Sequence, residues 1–79
     1  MVVRVLFFGA TAADTGKRDI VLDLGDPRSV DSLYDKVLET FPKLRRHKLL
    51  YSLNQTYATG DEIVRDGDEI AIFTAVSGG

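Results

Sequence analysis

Apolar and polar positions alternate along this chain with a period that changes several times, and each change marks an element. Val2 to Phe8 is a run of β-branched and aromatic residues broken by Arg4, which predicts a strand. Arg4 marks its solvent face, because burying an unpaired guanidinium is costly; Leu6 and Phe8 share that face. Gly9 to Lys17 is rich in small residues and reads as a loop. Asp19 to Leu24 alternates again, with Ile20, Leu22 and Leu24 on one side, and predicts a second strand that forms an antiparallel hairpin with the first.

The period then lengthens. Val30, Leu33, Tyr34, Val37, Leu38 and Phe41 recur at helical spacing and form one apolar stripe. Ser29 can cap the helix by accepting an orphan backbone N–H, Asp31 complements the dipole of its first turn, and Pro42 ends it. Strand signals return at Leu49 to Leu53, followed by a turn at Asn54-Gln55 and a brief segment from Thr56 to Ala58. Asp66-Gly67 is a tight-turn signal ahead of a last strand, Glu69 to Ala75. This order, with one main helix and no repeat, predicts an α+β fold. It is a mixed sheet rolled around the helix, of the ubiquitin-like, β-grasp kind. Residues 1–74 make the core of a single domain, and 75–79 a flexible, extended tail.

In the last strand Ile70, Ile72 and Thr74 oppose Ala71, Phe73 and Ala75. If the isoleucines face the helix, Phe73 faces away from it, as Leu6 and Phe8 do. The sheet then carries apolar residues on both sides, and one helix covers only one side. Either the second side binds another protein or the loops fold over it.

Composition narrows the function. Seventy-nine residues suffice for one domain, and 44 % apolar with 28 % charged residues is ordinary for a globular one. No run approaches the roughly 20 apolar residues of a membrane span, and the start lacks the basic segment of a secretory signal. With no cysteine there is neither a disulfide framework nor a thiolate site, so a cytoplasmic location is expected, away from membranes. A net charge of −2 gives no footprint for nucleic acid. The basic run Lys43, Arg45, Arg46, His47 and Lys48 either complements the preceding helix end in water or docks a partner.

Internal chemistry is sparse. A single histidine without cysteine excludes Cys–His nucleophiles and the usual zinc sets; His47 reads as a solvated surface residue. Gly16-Lys17 resembles the end of a phosphate-binding loop. However, Thr11 stands where that motif needs glycine, Arg18 where it needs Ser or Thr, and a strand follows instead of a helix. The acidic residues Asp61, Glu62, Asp66, Asp68 and Glu69 lack calcium-loop spacing; they are either solvated turn residues or a docking patch for a basic partner. No metal or cofactor site is expected on this chain.

What remains is the end of the sequence, Val76-Ser77-Gly78-Gly79, running off a predicted strand. A terminal carboxylate is a poor electrophile and must be activated, most simply as an acyl-adenylate, in another protein's active site. Five extended residues span at most roughly 17 Å, enough to thread such a site. Glycine, lacking a Cβ, fits a narrow channel.

The whole sequence resembles the small subunits of molybdopterin synthase, in the MoaD/ThiS family of ubiquitin-like sulfur carriers. The resemblance rests on Val3-Arg4-Val5-Leu6-Phe7-Phe8-Gly9, the Ser29 to Phe41 helix with Pro42, and Leu53-Asn54-Gln55-Thr56-Tyr57, followed by Asp66-Gly67-Asp68-Glu69-Ile70-Ala71-Ile72-Phe73 and the closing Ser77-Gly78-Gly79. It implies that an adenylating enzyme, using ATP and magnesium, activates the Gly79 carboxylate, and that a sulfurtransferase donor turns it into a thiocarboxylate. The large synthase subunit, in a heterotetramer, then receives the tail and passes the sulfur to cyclic pyranopterin monophosphate for molybdenum cofactor biosynthesis. By the same resemblance Gly78 and Gly79 are the reacting end, and Phe8, Tyr57, Phe73, Val76 and Ser77 contact partners. The chain alone is expected to be non-catalytic. Sulfur carriage for thiamine thiazole or tRNA thiolation, and protein modification through Gly79, are the alternatives.

Overall fold

The computed structural model describes residues 1–75. Among these residues there are seven strands: β1 Val2–Phe7, β2 Asp19–Asp23, β3 Arg28–Ser29, β4 Leu49–Leu53, β5 Thr56–Tyr57, β6 Ile63–Val64 and β7 Glu69–Thr74. Two α-helices, α1 Ala10–Thr15 and α2 Val30–Thr40, and a 3₁₀ segment Pro42–Arg46 complete the set. The main sheet runs β2-β1-β7-β4-β5, with β1 and β7 parallel and its other pairs antiparallel. Packed on the single long helix, this is the β-grasp arrangement that the periodicity predicts.

Alternation decides which side of the sheet is filled. Val3, Val5 and Phe7 of β1 and Ile70 and Ile72 of β7 are buried against Val30, Leu33, Val37 and Leu38 of α2. Leu44 of the 3₁₀ segment and Val64 of β6 close the ends of that core. The Ser29 hydroxyl accepts the N–H of Ser32 at 3.2 Å, the cap expected of it. Past the helix, Phe41 meets Phe7 edge to face, ring centres 5.6 Å apart.

Two expectations need correction, and one pair of short strands was not anticipated. The segment read as a loop, Gly9 to Lys17, holds α1, which ends on Gly16 in a left-handed cap and packs on β7. The first two strands are antiparallel, but α1 lies between them, so they form no simple hairpin. The two-residue strands β3 and β6 pair only with each other and carry too few residues to show alternation. Asn54 and Gln55 both have positive φ, 49° and 71°, so they make the two-residue hairpin turn between β4 and β5. Asn54 is held there by its side chain, whose Oδ1 accepts the Glu69 N–H at 2.9 Å.

Gly60 shows how tightly the long connection is fitted. Its φ is +114°, and a Cβ built there would collide with the Asp31 carboxylate. The oxygen such a Cβ would meet first, Asp31 Oδ1, also accepts the Tyr51 hydroxyl at 2.7 Å. Gly60→Ala must therefore strain the backbone and displace Asp31, and is expected to cost about 1–3 kcal/mol. Urea unfolding measures this; an unchanged midpoint would show that the loop can move aside.

The Tyr51–Asp31 bond also sets a pH dependence. Donation to Asp31, reinforced by burial, pushes the Tyr51 pKa up to about 12. Because the folded value exceeds the unfolded value of about 10, folding favours the neutral phenol. That stabilisation is complete below pH 10 and is lost as the pH rises toward about 12. The stability gap between wild type and Tyr51→Phe should stay constant up to about pH 10 and shrink above it. Unfolding curves across that range test the sign.

Candidate functional site

Register places the outward side chains of four strands in one patch. Leu6 lies opposite Ala71, Ala71 opposite Ser52, and Ser52 opposite Tyr57, a row straight across the sheet. One step toward the end of β7, Phe73 lies opposite Leu50. Its ring contacts Tyr57, with centres 5.9 Å apart. Phe8, just past β1, is 52 % exposed and Tyr57 73 % exposed. Such large apolar side chains are seldom gathered on an open surface without a partner to bury them.

The structure thus brings Phe8, Tyr57 and Phe73 together. Phe8 and Phe73, with Gly9 and Thr74, line a shallow cleft of about 300 Å³. A second cleft of about 490 Å³ shares Phe8 and continues along Leu6 and Ala12 toward Arg18. The opposite end of the patch is charged: Arg4 donates to Asp19 at 2.9 Å and lies 4.0 Å from Glu69. The apolar end is therefore the end where β7 finishes, at Thr74. Val76, Ser77, Gly78 and Gly79 lie outside the described residues.

Several polar groups prove to be fasteners. The Glu62 carboxylate accepts the N–H groups of Thr59 and Gly60 at 2.9 Å, which holds its pKa below the usual range, Thr59 contributing most. Asp66 accepts the Val2 N–H and Asp68 the Arg65 N–H, both at 2.7 Å. Of the two readings of the acidic cluster, turn formation accounts for these residues. His47 departs from expectation. Its side chain is only 25 % exposed, and Nε2 donates to Asp14 Oδ2 at 2.6 Å. Arg46 joins the same carboxylate at 2.5 Å and holds its pKa down, with His47 adding to the effect. Two of the five residues of the basic run thus tie the end of the 3₁₀ segment to α1.

No group of three His, Asp or Glu residues among the described residues could hold a metal ion. No helix among the described residues is long and apolar enough to cross a membrane. Sequence reasoning missed Thr11, which is fully buried under Phe8, and Leu50, the cross-strand neighbour of Phe73. The alanines of residues 10–13 and the capping Gly16 were the available signal for α1, and hence for Thr11.

Comparisons with known proteins agree with this geometry. The ThiS family matches residues 5–79. The chain is 35 % identical over 81 residues to the molybdopterin synthase sulfur carrier subunit of Mycobacterium tuberculosis, covering 98 % of this chain and 96 % of that one. Among solved structures, SAMP1 from Haloferax volcanii superposes with a TM-score of 0.86 at 25 % identity, with full coverage of both chains. A complex of subunits 1 and 2 of the molybdopterin-converting factor from Helicobacter pylori matches with a TM-score of 0.72 at 22 % identity, again over both full chains. On these grounds the chain belongs to the ThiS family, alongside the molybdopterin synthase sulfur carrier subunits.

Proposed function

We propose that this chain is the sulfur carrier subunit of a molybdopterin synthase. The observation that carries the reading is the apolar patch of Phe8, Tyr57 and Phe73 beside the end of β7, from which the sequence continues to Gly78-Gly79. A docked partner covering that patch receives the terminus in its own active site. There the chemistry needs a channel and an electrophile, and this chain supplies an alignable carboxylate.

The steps are these. The Gly79 carboxylate attacks the α-phosphate of ATP in a cytoplasmic adenylating enzyme that holds magnesium, and pyrophosphate leaves. The persulfide of a sulfurtransferase donor attacks the acyl carbon and expels AMP, and a thiol then reduces the resulting acyl disulfide, forming a disulfide of its own and leaving the thiocarboxylate on Gly79. The tail, through Val76, Ser77 and Gly78, then enters the large synthase subunit, where the sulfur passes to cyclic pyranopterin monophosphate. Support for that partner comes from the two-subunit complex that this fold matches.

Intact mass of the protein co-expressed with an activating enzyme tests the reading. The expected product is heavier by the difference between one sulfur and one oxygen. An unchanged mass in a preparation whose enzyme demonstrably adenylates a known carrier would refute it. A second reading, a protein modifier joined through Gly79, is favoured by the likeness to SAMP1, a small archaeal modifier protein. Slower-migrating covalent adducts of the tagged chain in cell extracts would favour it over sulfur carriage.

A further inference from the structure

The parallel ladder between β1 and β7 has an unusual end. Arg4 N donates to Asp68 O at 3.0 Å, and Arg4 lies opposite Glu69. A parallel ladder advances by two residues on each strand, so the same pattern, continued twice, would join Phe8 N to Ile72 O. That bond is replaced. Phe8 N donates instead to the Thr11 hydroxyl at 2.9 Å, and the same oxygen lies 2.8 Å from Ile72 O. A side chain from α1 is inserted where the next ladder bond belongs.

The hydroxyl has one proton to donate and two carbonyls in range, Ile72 O and Phe8 O at 2.9 Å. Phe8 O already accepts the Thr11 backbone N–H at 3.2 Å, whereas Ile72 O is the shorter contact of the hydroxyl, and a proton directed there bridges the two strands. The backbone between them is a tight turn with Gly9 at φ 57° and ψ −120°, a conformation that a side chain resists. Thr11 is fully buried, and its bond to Ile72 O is buried with it.

The consequence is a shape. A direct N–H···O bond would hold the two atoms about 2.9 Å apart, whereas a bent bridge through a hydroxyl holds them at about 4.5–5 Å. The strands therefore part at Phe8 and Ile72, directly beneath the cleft lined by Phe8, Gly9, Phe73 and Thr74. We propose that Thr11 is a positioning residue for partner docking: its hydroxyl wedges β1 from β7 and fixes Phe8 beside Phe73 so that the cleft stays open. This rests on the reading that Phe8 and Phe73 dock the large synthase subunit.

The test compares the affinity of purified variants for the isolated large subunit, by calorimetry, at a temperature where circular dichroism shows each one folded. Thr11→Val keeps the shape and removes the hydroxyl; it should bind about 10-fold or more weakly. Thr11→Ser keeps the oxygen and should stay within about 2-fold of wild type. Val37→Ala, a core change remote from the cleft, should lose stability and keep its affinity. Wild-type binding by Thr11→Val, equal loss in Thr11→Ser, or equal loss in Val37→Ala would each overturn the inference. Phe8→Ala and Phe73→Asp separate the two claims: if both bind as wild type, the docking reading itself fails. One measurement needs no variant. The Phe8 amide of the wild-type protein should exchange with solvent as slowly as the Leu6 amide, and rapid exchange would mean that no wedge holds it.

Discussion

Phe73→Asp is expected to leave the protein folded and to weaken binding to the large synthase subunit by about 30-fold or more. Phe73 lies on the outward face of β7, against Tyr57 and opposite Leu50, while its neighbour Ile72 is fully buried beneath the sheet. Removing the ring forfeits an aromatic pair worth roughly 1 kcal/mol in the free protein. Central aromatic anchors of an interface commonly carry at least about 2 kcal/mol of binding, which is the 30-fold loss. A carboxylate in their place adds the cost of desolvating a charge against an apolar partner. Ile72→Asp supplies the contrast, one residue away on the other face. It buries a charge without a partner and should yield no folded protein. Calorimetric affinities and thermal melts of both variants decide the matter. If Phe73→Asp unfolds, or binds as wild type, the patch is not the docking face.

That two adjacent residues should behave so differently was legible in the sequence, because strand alternation is a period-two signal. Arg4 fixed the outward face of β1, and the isoleucines of β7 fixed its inward face. The helix was legible for the same reason, since its stripe from Val30 to Leu38 is buried as its spacing demands. Elements shorter than a period escaped. Arg28–Ser29 and Ile63–Val64 have no alternation to read, and their pairing is a property of how the chain returns past α2. The helix α1 escaped because six residues with three alanines give propensity without an apolar stripe. Its stability comes from tertiary bonds: Thr11 to Ile72, and Asp14 to Arg46 and His47. Those partners stand 61, 32 and 33 residues away, so no local window contains them. His47 was misread on the same account, its acceptor being invisible until the chain is folded.

Deleting Gly79 is expected to abolish sulfur transfer altogether while leaving the melting temperature unchanged. The reacting carbon must come within about 3–3.5 Å of its attacker, inside a pocket the carrier does not own. The docking patch fixes where the tail begins, because β7 ends at Thr74 beside the Phe8/Phe73 cleft. With the origin fixed, length sets the position of the carboxylate, and one residue more or less moves it by about 3.5 Å. A C-terminal tag should therefore fail as completely as the deletion. Gly78→Ala keeps the register and adds one methyl, so it should slow transfer without abolishing it. Among the described residues the buried core runs from Val3 to Ile72, and none of the three changes alters a residue of it. Product formation with the activating enzyme and the large subunit present, set beside thermal melts, separates chemistry from folding. A shortened or tagged carrier that makes product at the wild-type rate would show that sulfur travels on some other group than Gly79.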